Sequence, residues 1–72
     1  VENRLKALRT ERGWSQAELG KQLEVSRQTV NALEKGRYDP SLPLAFKVAR
    51  VFGLRIEDVF LDQDQSEGVR NE

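Results

Sequence analysis

The stretch ELGKQLEVSRQTVNALEKG (residues 18–36) decides the fold. Leu19 and Leu23 lie four apart, Val30 and Leu33 lie three apart, and Val25 falls between the pairs. That spacing predicts two short helices joined by a turn of three or four residues, which must cross at a steep angle. Gly20 falls where two such helices approach most closely and a larger side chain would clash. Glu24 stands at the tightest point of the turn, where a left-handed residue such as glycine is expected. A non-glycine residue pays on the order of 1 kcal/mol for that conformation. Because the neighbouring positions all suit the turn, two readings stand: Glu24 carries positive φ with the surrounding packing bearing the cost, or the turn shifts its dihedrals to avoid that region.

Working outward, Ser15 with Glu18 three residues later is a capping box that opens the first of these helices, whose apolar positions are Ala17, Leu19 and Leu23. Ser26 caps the second, and Gly36 closes it. Val25, Val30 and Leu33 face inward, while Arg27, Gln28 and Asn31, with Thr29 beside them, face out. NRLKALRTERG (residues 3–13) predicts an earlier amphipathic helix with Leu5 and Leu8 inward, Asn3 as N-cap and Gly13 as its stop. RYDPS (residues 37–41) reads as a loop, since the residue before Pro40 is pushed out of the helical region. Ser41 then caps a helix over LPLAFKVARVF (residues 42–52). Pro43 is tolerated there in the first turn, and Leu44, Ala45, Val48, Val51 and Phe52 supply the buried stripe. In LRIEDVFL (residues 54–61) period alone does not separate helix from strand. The reading taken is a brief helical turn over 56–60 that passes into an extended segment near Leu61. The fold class is all-α, four to five short helices, with room for a short C-terminal strand.

Composition narrows the function. Seventy-two residues, 38% of them apolar, support one small core and no deep cleft. Cysteine and histidine are both absent, which removes disulfides, thiolate metal sites and the commonest general base. Glu57 and Asp58 are adjacent rather than facing, so they make a poor acid–base pair, and an enzyme is not expected. DQDQSEG (residues 62–68) imitates the start of a calcium loop, but Glu67 stands where the glycine is required, so no metal or cofactor is expected. No apolar run is long enough to span a bilayer, and no signal peptide is visible; a cytoplasmic protein is expected.

The formal net charge is zero, yet the charges are segregated. Residues 1–56 carry eleven Lys/Arg against six Asp/Glu, whereas residues 57–72 carry Arg70 against six acids. A basic body suits a polyanion, and an acidic tail suits solvent. Residues 1–61 are therefore read as the folded domain and residues 62–72 as a polar, disordered tail.

GWSQAELGKQLEVSRQTVNALEKGRYDPSLPLAFKVARVFGLRIEDVF (residues 13–60) resembles the Cro/CI-type, or Xre, helix-turn-helix family of bacterial and phage transcriptional regulators. The resemblance covers residues 4–60, and SRQTVNALEKGRYDPSL is closest to the small stand-alone members. It implies a lambda-repressor-like DNA-binding bundle with the helix-turn-helix at helices 2 and 3. Helix 3 would enter the major groove of a double-stranded DNA operator, most often to repress. The family's base-reading positions correspond here to Arg27, Gln28 and Ala32. Asn31 is added from its outward position, since Arg matches guanine and Gln or Asn matches adenine. Gln16 matches a family position that bonds the phosphate backbone. Lys35, Arg37 and Tyr38 follow the reading helix and are expected to hold further phosphates, although Lys35 and Arg37 also oppose the helix dipole. Arg9 and Glu34 match a family ion pair, expected to be structural.

A single small module buries too little of the duplex for operator affinity, so a homodimer on a palindromic operator is expected. Of Ile56, Val59, Phe60 and Leu61, Phe60 suits the core, and Val59 and Leu61 are the interface candidates. A protein-binding module, such as an antitoxin or bridging factor, remains the alternative.

Overall fold

The computed structural model of the chain describes residues 1–61. Five helices follow one another: α1 (Leu5–Glu11), α2 (Gln16–Leu23), α3 (Arg27–Glu34), α4 (Leu42–Phe52) and α5 (Ile56–Val59). The expectations for residues 62–72, a disordered tail and a failed calcium loop, lie outside the described residues.

The three serine caps behave as their positions require. Ser15 Oγ accepts from the Glu18 amide at 3.0 Å, and Glu18 Oε1 accepts from the Ser15 amide at 2.8 Å, completing the box. Ser26 and Ser41 each accept from the amide three residues on. Asn3 acts one position early: Arg4 is the residue preceding α1, and its side chain makes no cap, but Asn3 Oδ1 accepts from the Leu5 amide at 3.0 Å.

The helices also stop alike. At the ends of α1, α2, α3 and α4 the amide of the second or third residue past the helix bonds a carbonyl five residues back. The amide before it bonds one three back, as in Trp14 to Arg9 and Gly13 to Thr10. This arrangement needs a left-handed residue, supplied by glycine in three cases and by Glu24, at φ 61° and ψ 40°, in α2. Of the two readings open for Glu24, positive φ is the one present.

α2 packs on α3 and α4, α4 on α5, and α1 on α3. Leu5, Leu19, Leu23, Val30, Leu33, Val48 and Val59 are the largest fully buried side chains at their centre. A Cβ built on Gly20 would lie 2.7 Å from the Val25 carbonyl oxygen, so the close approach expected there is a backbone contact. Trp14, half-buried, tilts against Phe52 with ring centroids 5.8 Å apart, and the Arg12 guanidinium lies over both rings.

Two expectations need correction. Val59 is fully buried, so its side chain lies in the core of its own chain and offers nothing to a second one. Val59 belongs to the single core cluster, whereas Leu61, one residue past Phe60, stays exposed. The C-terminal extended segment exists but is not a strand: Phe60 forms an isolated antiparallel bridge with Asn3. Around it the Arg4 amide bonds the Val59 carbonyl at 2.9 Å, and the Leu61 amide bonds the Glu2 carbonyl at 2.8 Å.

Candidate nucleic-acid interface

Ser26 caps α3 by accepting from the Thr29 amide at 3.1 Å, and its hydroxyl also lies 3.0 Å from Thr29 Oγ1. With Val30 and Leu33 committed to the core, helical periodicity leaves Arg27, Gln28 and Asn31 on the opposite side. Arg27 and Gln28 are exposed, Asn31 is half-buried, and together with Gln16 from the start of α2 they line one shallow recess of about 210 Å³. Residues read separately as base-reading and phosphate-holding thus share one surface. Ala32 is half-buried beside them and is not part of that lining.

Lys35, Arg37 and Tyr38 are exposed in the connection from α3 to α4. None of them lines the recess. Tyr38 instead borders a second depression with Glu24, Val25, Ser41 and Lys47.

Beneath the recess runs a polar chain across three helices. Arg9 on α1 forks onto Glu34 at the end of α3, Nε to Oε2 at 2.6 Å and Nη2 to Oε1 at 3.2 Å. Its Nη1 donates to the Trp14 carbonyl at 2.9 Å. The side chains of Arg9 and Glu34 are only 12% and 4% exposed. The hydrogen bond to Glu34 raises the Arg9 guanidinium above its ordinary pKa, so the cation is secure. Glu34 Oε1 also accepts from Gln16 Nε2 at 3.1 Å, and Gln16 Oε1 accepts from Asn31 Nδ2 at 3.4 Å. Every described buried side-chain nitrogen and oxygen has a partner.

Asn3 was absent from the expected site, yet its Nδ2 donates to the Leu33 carbonyl at 2.7 Å and so holds the last turn of α3. No spacing in the sequence announces that bond, because the partners are thirty residues apart and one of them is backbone. Nor does any spacing announce the bond between the Gln16 and Glu34 side chains, which lie eighteen residues apart.

None of the described helices is long and apolar enough to cross a membrane. The family model for Helix-turn-helix matches residues 5–59. The chain is 53% identical over 64 residues to the uncharacterized HTH-type transcriptional regulator MJ0272 of Methanocaldococcus jannaschii, covering 89% of this chain and 97% of that one. It is 32% identical over 72 residues to the immunity repressor protein of Bacillus phage phi105, covering 93% of this chain and 50% of that one. The crystal structure of the hypothetical transcription factor NHTF from Neisseria superposes with a TM-score of 0.70 at 28% identity, over 90% of this chain and 75% of that one. A relative in an archaeon means that the likeness does not by itself assign the chain to a bacterium or a phage. The chain belongs to the Xre-type helix-turn-helix family of transcriptional regulators.

Proposed function

We propose that residues 1–61 form a sequence-specific double-stranded DNA-binding domain that inserts α3 into the major groove and acts as a homodimeric repressor. The observation that carries this reading is the shared recess of Gln16, Arg27, Gln28 and Asn31, backed by the buried Arg9–Glu34 pair. Arg27 and Gln28, at the start of α3, are the side chains that a helix lying in the groove offers to base edges. Arg27 suits guanine, whereas Gln28 and Asn31 suit adenine. Ala32 offers only a methyl, which suits contact with thymine. Gln16 holds a phosphate at the positive end of α2, and Lys35, Arg37 and Tyr38 hold phosphates beyond α3. The repressor role is supported by the name of the phage phi105 relative.

The second copy docks through Leu61, which is 37% exposed next to the bridge that closes the domain. Half-sites then lie about one helical turn, ~34 Å, apart on a palindrome. Selection from random duplex DNA, followed by a salt series on the enriched site, tests the whole reading. A palindrome and a steep fall of affinity with salt are expected. Sedimentation of Leu61→Ser tests the interface, with loss of dimer expected and a dimer of wild-type strength counting against it. If no site is enriched, the DNA reading fails and a protein partner becomes the better account.

A further inference from the structure

The polar chain beneath the recess has a direction, and Glu34 sets it. A carboxylate accepts hydrogen bonds and donates none. Its side chain is 4% exposed, so water is not at hand to relax that requirement. Gln16 therefore has to turn its NH2 group inward to Glu34, which leaves Gln16 Oε1 toward Asn31. That oxygen also only accepts, so Asn31 has to give it an Nδ2 hydrogen. Asn31 Oδ1 and the second Nδ2 hydrogen are then the pair that remains for a ligand in the recess.

An asparagine amide without such backing turns over and exchanges its donor and acceptor. A backed one presents them in a fixed order, which is what bidentate recognition of the adenine N6/N7 edge requires. We infer that Glu34, acting through Gln16, is a positioning residue that fixes the amide polarity of Asn31 and thereby the base it reads. This rests on the DNA-reading proposal above and adds to it that Gln16 contributes to specificity as well as to phosphate contact.

Gln16→Met is the informative variant, because it keeps side-chain length and leaves the Arg9–Glu34 fork intact. Affinities of wild type, Gln16→Met, Asn31→Ala and the double variant are compared on the selected duplex and on duplexes changed at each base pair. Gln16→Met is expected to lose roughly tenfold preference at the same base pair as Asn31→Ala, with the double variant losing no more there. Uniform weakening on every duplex, with that preference kept, overturns the inference and leaves Gln16 a phosphate contact.

A second measurement needs no DNA and no variant that must fold. In free wild-type protein the Asn31 side-chain amide is expected to show slowed hydrogen exchange relative to that of Gln28, by nuclear magnetic resonance. Equal exchange overturns the inference. Slowed exchange in a protein that selects no site would retire the reading function itself, and the positioning role with it.

Discussion

At the end of α3, Gly36 takes the left-handed turn at φ 72° while Glu34, two residues earlier, reaches across to Arg9 on α1. At the end of α2, Glu24 takes the left-handed turn and also reaches across, its Oε1 accepting from Lys47 Nζ on α4 at 2.9 Å. The first arrangement divides two duties between two residues and buries the ion pair. The second gives both to one residue, whose side chain is 78% exposed. Glycine is the residue most turns of this kind use, but the ends of α2 and α3 show that the backbone bonds define the turn. What α2 does not forgo is Gly20, where the Val25 carbonyl folds back over the helix. In α4 the residue in the place of Gly20, whose carbonyl likewise accepts from the amide five residues on, is Ala49, which already carries a methyl.

Breaking the buried pair should have the largest effect. Arg9→Met leaves the Glu34 carboxylate buried without its cation, and a loss of about 3–5 kcal/mol is expected in urea denaturation. Gly20→Leu should follow, at about 1–3 kcal/mol, since the atom it meets is backbone and cannot swing aside. Gly20→Ala, which helix propensity alone would favour over glycine, should also lose stability, because its Cβ meets the same oxygen.

The left-handed position itself should respond in opposite senses at the two ends. Glu24→Gly is expected to raise the melting temperature and Gly36→Ala to lower it, each through a conformational term on the order of 1 kcal/mol. A fall with Glu24→Gly would mean that the Lys47 contact outweighs the backbone cost.

The smallest effect should come from that contact. The hydrogen bond from Lys47, and then its charge, holds the Glu24 carboxyl below its ordinary pKa of 4.5. A carboxylate easier to ionise in the fold than in the unfolded chain stabilises the fold above that pKa and ceases to as pH falls through its lowered value. The difference in stability between wild type and Lys47→Met should therefore be small at neutral pH and vanish in acid, which paired denaturation curves would show. The pair is exposed, and such pairs contribute little.

The helix ends were legible because each carries a local signal: Ser15 with Glu18, Ser26, Ser41 and the stop glycines act through bonds three to five residues long. The turn at Glu24 was legible for the same reason, whereas its φ was not, since a glutamate admits a left-handed turn and a shifted one alike. The face of α5 was not. Four residues make too short a helix for periodicity to orient, so Val59 passed for surface when it completes the core. The Arg9–Glu34 pair followed from the family resemblance, and its extension to Gln16 and Asn31 required coordinates. Side chains on separate helices meet through the crossing angle, which no spacing encodes.

The bridge between Asn3 and Phe60 has a mechanical consequence. Residues 2–4 and 59–61 form a clasp, so a pull on residue 61 arrives at residue 2 as well. From there the path to α3 is one side chain long, through Asn3 Nδ2 to the Leu33 carbonyl. Load applied where the described chain leaves the domain is thus delivered to the last turn of the helix that carries Arg27, Gln28 and Asn31.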